Sequence, residues 1–204
     1  MIHEIRTYDL KPRSTEEFGR RTAEKLPYRL GLSSLGGFWY TEVGPLNQVV
    51  HIWPYEDLNH RADVRGRAIA GGGWPPDNGE FIIGMQSEIF LPAPFMAPLG
   101  ERDIGPVYEM RTYTYAAGDI PNVLDAWAGR IAEREKLSPL AGCWHSEIGG
   151  LNQFVHLWAY RSFDERARVR REAREKGIWP PPSGVAPVQQ ENKLLLPFDF
   201  SPMQ

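Results

Sequence analysis

The stretch GPLNQVVHIWPY, residues 44–55, returns further along the chain as GGLNQFVHLWAY, residues 149–160. Eight of the twelve positions are identical, and the two copies lie 105 residues apart. The same offset relates HEIRTYDL (3–10) to YEMRTYTY (108–115). A constant offset indicates two copies of one structural unit with no net insertion, so both halves of the 204-residue chain are expected to share one fold.

Within each copy, the local signals follow the order strand, helix, strand, strand, helix, strand. Residues 3–10 and 47–53 of the first copy have the composition of strands. The motif Ser14-x-x-Glu17 predicts the start of the first helix. The order β-α-β-β-α-β defines the ferredoxin-like unit, a four-stranded antiparallel sheet with helices on one face. The other face must be covered, so we predict an α+β fold in which two ferredoxin-like repeats pack sheet to sheet as an intramolecular dimeric α/β barrel.

The segment PAPFMAPLGERDIGP, residues 92–106, separates the two copies. Its four prolines and two glycines suit neither a helix nor a strand. We therefore predict repeat 1 at residues 1–98, a Pro/Gly linker at residues 99–106, and repeat 2 at residues 107–204.

The composition narrows the classes of function. The formal net charge is −3, so no basic field favours nucleic acid or anionic lipid. A single cysteine, Cys143, excludes an internal disulfide and a cysteine-based metal cluster. We find neither a signal-peptide pattern nor an apolar run of the roughly 20 residues that a membrane helix needs. We expect a cytoplasmic protein with a small-molecule ligand and without nucleic-acid or membrane partners, and a homo-oligomer of two-repeat chains stays open.

Alternate residues of a strand point to opposite faces of its sheet. In the repeated strand, one set is aliphatic (Val50, Ile52, Val155, Leu157) and suits packing under helices. The other set mixes aromatic and hydrogen-bonding groups, and we assign it to the side on which the two sheets meet. With the matching residues of the neighbouring strands, this set comprises Glu4, Arg6, Tyr8, Tyr40, Glu42, Asn47, His51 and Trp53 in repeat 1, and Glu109, Arg111, Tyr113, His145, Glu147, Asn152, His156 and Trp158 in repeat 2.

Four members of this set are candidate catalytic residues, namely His51, His156, Glu42 and Glu147. Histidine titrates near neutral pH and serves as a general acid or base. The alternative is a core histidine held by a backbone group or by the neighbouring glutamate. The other twelve residues are candidate ligand-binding residues. Among these, the arginines of the first strands either orient an anionic or carbonyl substrate or form a buried ion-pair ladder with the glutamates beside them.

The sequence predicts neither a metal site nor a cofactor. Only two of the five histidines occur in both copies, and no H-x-H or H-E-x-x-H spacing is present. No nucleotide-binding fingerprint occurs either. A haem with His51 or His156 as its axial ligand stays open. The segments Trp74-Pro75-Pro76 and Trp179-Pro180-Pro181 are expected to cap one end of each sheet or to cover a pocket.

The EIRTY and EMRTY strands and the repeated G-x-L-N-Q-x-V-H-x-W-x-Y string resemble the NIPSNAP family over nearly the whole chain. The resemblance implies the dimeric α/β-barrel superfamily, in agreement with the pattern of elements. Members of the family are largely without an assigned reaction. The wider superfamily includes cofactor-independent monooxygenases, cyclases, isomerases and haem enzymes. Eukaryotic relatives are linked to mitochondria and vesicles, but no targeting extension is recognised here.

Two functions of different classes follow. The first is binding of a small, largely apolar or aromatic metabolite, with a cofactor-independent reaction in which His, Glu and Tyr handle protons. The second is a non-catalytic binding or scaffold protein whose repeated motif only builds the sheet interface. The sequence leaves open whether the protein is an enzyme and whether both repeats carry equivalent pockets.

Overall fold

The computed structural model describes residues 1–204. The helices and strands follow the predicted order in both repeats, except that the first helix of repeat 2 is divided in two. In chain order the elements are β1 (Ile2–Leu10), α1 (Thr15–Leu30), β2 (Gly37–Val43), β3 (Gln48–Tyr55), α2 (Leu58–Ala70), β4 (Ile82–Pro92), β5 (Val107–Thr114), α3 (Ile120–Ala128), α4 (Ile131–Glu135), β6 (Leu140–Ile148), β7 (Gln153–Tyr160), α5 (Phe163–Glu175) and β8 (Gln189–Pro197). The division falls at Gly129, a poor helix former that stands where repeat 1 has Glu24.

The eight strands form one closed barrel in the order β1-β3-β2-β8-β5-β7-β6-β4, and every neighbouring pair is antiparallel. Each repeat supplies four consecutive strands of this order. The repeats join where β2 pairs with β8 and where β4 pairs with β6. Closure leaves no free strand edge for pairing with other chains. The predicted fold class is therefore confirmed.

Apolar side chains of both repeats pack between the two sheets, beside a cavity of about 470 Å³ whose walls include Gln48, Glu88 and Lys193. Val50 and Ile52 of β3 meet Val155 and Leu157 of β7 in one buried cluster, together with Trp39 and Trp144. The tryptophans fit because a glycine precedes each by two residues on the same face. A Cβ atom at Gly37 would overlap the Trp39 ring, and the same relation holds between Gly142 and Trp144.

The predicted assignment of faces was wrong. The aliphatic set lies between the sheets, and the set with His51 and Trp53 lies under the helices. Trp53 packs with Phe18 of α1 and Val64 of α2, and Trp158 packs correspondingly under the helices of repeat 2. The physical reason is the need for groups that can neutralise the buried charges of this face. Two facing sheets offer few groups to pair a buried charge, whereas helices can extend arginines to the glutamates of the sheet.

The helices are short and amphipathic or polar. No helix of this chain has both the length and the apolar character required to cross a membrane. In α5 the N-cap Ser162 accepts a hydrogen bond from the Glu165 backbone N–H at 3.0 Å, as its capping motif predicts. At the start of α1 the hydroxyl of Ser14 instead donates to the Lys11 carbonyl, so this motif marks the helix start without capping it.

Candidate functional site

A cavity of about 320 Å³ lies between the sheet and the helices of repeat 1, and we call it the repeat 1 pocket. Phe18 and Thr22 of α1, Arg65 of α2 and His51 of β3 line it, and the Trp74-Pro75-Pro76 segment closes one side. A cavity of about 350 Å³, the repeat 2 pocket, occupies the corresponding place under the second set of helices. Each repeat thus carries its own pocket, outside the barrel interior.

His51 lies in the wall of the repeat 1 pocket with only one nitrogen engaged. Its Nδ1 accepts a hydrogen bond of 2.7 Å from the indole Nε1–H of Trp53, two residues along the same face of β3. The proton of the neutral ring is therefore on Nε2, which is buried and has no partner. His51 is only 3% exposed, and burial, reinforced by the positive charge of Arg6, lowers its pKa to about 3.

These facts change the chemistry expected of this histidine. A ring that is neutral at physiological pH and carries its proton on Nε2 is a fixed hydrogen-bond donor. Its one ring lone pair, on Nδ1, already accepts the Trp53 indole N–H, so this arrangement suits a donor better than a general base. A donor that is buried without a partner costs about 1–3 kcal/mol. A ligand oxygen in the pocket would satisfy it.

A buried ion network lies beside the histidine. Glu4 is fully buried, and its Oε1 accepts hydrogen bonds from Arg6 at 2.6 Å, Arg61 at 2.7 Å and Ser87 at 2.5 Å. Burial raises the pKa of Glu4, but the hydrogen bonds and the two guanidinium charges outweigh it and lower the pKa to about 2. Because Arg61 belongs to α2, this ion pair also fixes that helix to the sheet. Arg6 donates onward to the Tyr8 hydroxyl at 2.7 Å.

Repeat 2 reproduces most of this arrangement. Glu109 accepts from Arg111 at 2.7 Å and from Arg166 at 2.6 Å, and its pKa is likewise lowered to about 2 after the opposing effect of burial. The Nδ1 of His156 accepts from the indole of Trp158 at 2.9 Å, and its Nε2 has no partner. Burial lowers the pKa of His156 well below 6.5.

Aromatic packing differs between the two pockets. Thr22 of repeat 1 corresponds to Trp127 of repeat 2, and the Trp127 ring centroid lies 4.7 Å from that of His156 and 4.4 Å from that of Trp179. In repeat 1, Phe38 stacks on His51 at 4.6 Å. The two pockets are therefore related by sequence but are not chemically equivalent.

One functional feature was missed at the sequence level. Arg29 of α1 is 2% exposed and has no carboxylate partner. Its guanidinium donates to the Ser33 and Tyr55 hydroxyls and lies 4.2 Å from the centroid of the Trp53 ring. Arg134 repeats the arrangement in repeat 2. A signal was available in the sequence, because Arg29 and Arg134 are separated by the 105-residue repeat offset and therefore occupy equivalent helix positions.

Several predicted site residues are not brought together. Glu42 is exposed and lies four residues along β2 from Phe38, the partner of His51, which places it roughly 13 Å along the strand. Glu147 is exposed at the equivalent position of β6. The expected His–Glu pairs are therefore not formed.

The remaining predicted residues have other places. Asn47 and Asn152 occupy left-handed positions of the β2–β3 and β6–β7 turns, with φ of 57° and 56°. Tyr40 and His145 are half-buried and line neither pocket. Trp53 lies behind His51, whereas Arg6 and Tyr8 line the repeat 1 pocket, and Arg111, Tyr113 and Trp158 line the repeat 2 pocket.

The residues present do not fit a haem or a metal. An axial histidine needs a free nitrogen lone pair directed at the metal, and the Nε2 atoms of His51 and His156 carry protons. No group of three His, Cys, Asp or Glu side chains converges anywhere in the chain.

Two ferredoxin-like repeats that close into one barrel, each with a helix-covered pocket, define a fused dimeric α/β barrel. The model of the family described as NIPSNAP matches residues 3–97 and 108–202. This chain belongs to the NIPSNAP family. The human protein NipSnap homolog 3A is 31% identical over 219 residues, which span 100% of this chain and 86% of the human protein.

Two further comparisons agree with this placement. The NipSnap homolog of Dictyostelium discoideum is 31% identical over 187 residues, or 87% of this chain and 78% of that protein. A solved structure from Lactobacillus acidophilus, provisionally named a monooxygenase, has a TM-score of 0.68 over 96% of this chain and 92% of its own, at 9% identity. At that identity the likeness concerns the fold alone.

Proposed function

We propose that this NIPSNAP chain binds a small, largely apolar or aromatic metabolite between sheet and helices, with His51 donating a hydrogen bond to an oxygen of the ligand. The observation that carries the proposal is the unpartnered Nε2–H of His51 in the wall of the repeat 1 pocket. Apolar walls around a few directed polar groups are typical of small-molecule sites. A cytoplasmic location stays a prediction.

Any catalysis at this pocket would rest on polarisation of a ligand carbonyl. His51 and Tyr8 both line the pocket, and their N–H and O–H groups would be the donors that stabilise negative charge on such an oxygen. Base catalysis finds little support, because a pKa of about 2 makes Glu4 a weak base and Glu42 is remote. Non-catalytic binding is therefore the second candidate, and the same lack of a base favours it.

The test is ligand-induced stabilisation across a panel of small aromatic and alicyclic carbonyl compounds, measured by thermal unfolding and by calorimetry. A ligand at a hundred times its Kd adds about 2.7 kcal/mol, which for a chain of this length raises Tm by roughly 5–10 °C. His51→Ala should weaken binding about fivefold or more, since one directed hydrogen bond is lost, and His51→Gln should restore part of it.

The control is Arg67→Ala, because Arg67 lies on the same helix as Arg65 but is exposed and pairs only with Asp63. It should bind as the parent does. A panel without any stabilising compound, or stabilisation unaffected by His51→Ala, would refute the proposed function. Turnover of a bound carbonyl compound would decide between an enzyme and a binding protein.

A further inference from the structure

The two pockets differ in one buried charge interaction. In repeat 2, Arg170 of α5 contacts both carboxylate oxygens of Glu109, at 3.3 and 3.2 Å. The equivalent residue of repeat 1 is Arg65, which makes neither an ion pair nor a side-chain hydrogen bond. The Oε2 atom of Glu4 correspondingly has no partner.

Ser87 marks a further difference between the two carboxylate sites. Its hydroxyl donates to Glu4 at 2.5 Å and contributes the third hydrogen bond on that carboxylate. Asn192 stands at the equivalent place in repeat 2 and makes no bond to Glu109, whereas Arg170 contacts both oxygens of that carboxylate. Arg65 is thus a half-buried guanidinium that lines a pocket without a counter-ion.

The repeat 1 pocket therefore carries an excess of positive charge. Arg6, Arg29 and Arg65 all line it. The one buried carboxylate nearby, Glu4, is already balanced by Arg6 and Arg61. The charges of the three lining arginines also act on His51, each disfavouring its protonation. An excess of positive charge next to a neutral, directed N–H donor suits an anionic oxygen.

We propose that the repeat 1 pocket selects a small monocarboxylate, whose carboxylate lies between the Arg65 guanidinium and the Nε2–H of His51. This inference rests on the proposed function, because it assigns the ligand class of the same pocket. The body of the ligand packs on apolar wall residues, namely Phe18, Ile69, Trp74, Ile82 and Met85. The cavity of about 320 Å³ holds a single ring with a short side chain.

A carboxylate fits these walls better than a phosphate. Beyond Arg65 and His51, most of the remaining wall is apolar or already hydrogen-bonded, so the further oxygens of a phosphate would be buried without donors. In repeat 2, Arg170 is occupied by Glu109. Two arginines of that pocket have no carboxylate partner. Arg134 donates to the Ser138 and Tyr160 hydroxyls, as Arg29 does to its own partners in repeat 1, and Arg174 is exposed, where water and salt screen its charge. Only the repeat 1 pocket is expected to prefer the acid.

The experiment compares each acid with its neutral amide, using acetate, cyclohexanecarboxylate, phenylacetate and 3-phenylpropionate and their carboxamides. Affinities are measured by calorimetry at low salt, with inorganic phosphate as an additional probe. The parent should bind the ring-bearing acids at least about tenfold tighter than their amides, the size of one charge-assisted hydrogen bond. Arg65→Gln should abolish that preference, because the lost guanidinium weakens binding of the acids far more than binding of the amides.

Two matched variants accompany it. Arg67→Gln removes an equal charge from the exposed face of α2, and Arg170→Gln changes the equivalent residue of repeat 2. Both should keep the preference. Amides that bind as tightly as acids would overturn the inference and leave the proposed function standing. Loss of the preference in Arg170→Gln alone, or phosphate binding as tight as that of the acids, would also overturn it. Absence of binding by every compound would refute both.

Discussion

Replacing His51 by glutamine should remove a specific part of the acid sensitivity of this fold. The ring is buried and neutral, and burial lowers its pKa from 6.5 to about 3. Between those two pH values the unfolded chain binds a proton that the folded chain does not. The contribution of His51 to the free energy of unfolding is therefore lost as the pH falls below about 6.5.

The magnitude follows from the two pKa values. At pH 5 the unfolded histidine is almost fully protonated and the folded one is not, which lowers the free energy of unfolding by about 2 kcal/mol relative to pH 7. For a urea m-value of about 2–3 kcal/mol/M, this corresponds to roughly 1 M in the denaturation midpoint. His156 adds a loss of the same sign, because burial also lowers its pKa.

The assay is urea denaturation of the parent and of His51→Gln at pH 7 and pH 5. The variant is expected to lose about 2 kcal/mol less than the parent between the two pH values, whatever its stability at pH 7. His60→Gln is the control, since His60 is half-exposed on α2 and accepts only a backbone N–H. Equal losses in the parent and in His51→Gln would show that His51 is not held neutral, and the donor role argued for it would fall.

Three further predictions concern stability and are checked by chemical denaturation at pH 7. Glu4→Gln should cost about 3–5 kcal/mol because it leaves buried guanidinium charges unpaired, whereas Glu42→Gln on the exposed end of β2 should cost almost nothing. Similar costs for both would contradict the buried network. Gly37→Ala should destabilise by about 1–3 kcal/mol, since its Cβ would overlap the Trp39 ring. Gly66→Ala, in a helix with no atom near the new Cβ, should stabilise by up to about 1 kcal/mol, and a loss of stability there would refute that account.

The sequence was sufficient to predict the architecture, because the same pattern of helices and strands occurs in both repeats. Each weak local signal, such as the strand at residues 47–53, has an independent copy that tests it. Alternation along β3 also separated its two faces correctly. What alternation lacks is direction, since it says which residues share a face and not what that face meets. The deciding partner of Glu4, Arg61, lies 57 positions away, on a helix whose orientation the local pattern does not define.

The pocket was predictable in part for the same reason. His51 is in the repeated string, and its polar character among apolar neighbours marked it. The tautomer of His51 was not predictable, because it depends on a hydrogen bond from the indole of Trp53, two residues further along the same face of the strand. Arg29 and Arg65 lie on helices that carry several arginines. The sequence alone does not distinguish the buried arginines of such a helix from the exposed ones, because this depends on how the helix packs on the sheet. The separation of Glu42 from His51 was not predictable either, because it depends on the register of β2 against β3.

Fusion of the two repeats explains how the pockets could become different. In a symmetric dimer of single repeats the two chains are identical, so every substitution changes both pockets. In a fused chain the exchange of Thr22 for Trp127 changes one pocket alone, and so does the exchange of Ser87 for Asn192. The residues that build the barrel are under the opposite constraint, since Val50, Ile52, Val155 and Leu157 pack against one another across the pseudo-symmetric centre. The core positions stay apolar in both copies, even where the residue differs, as at Ile52 and Leu157. The pockets under the helices differ in chemistry, with an unpaired Arg65 in one and an Arg170 paired to Glu109 in the other.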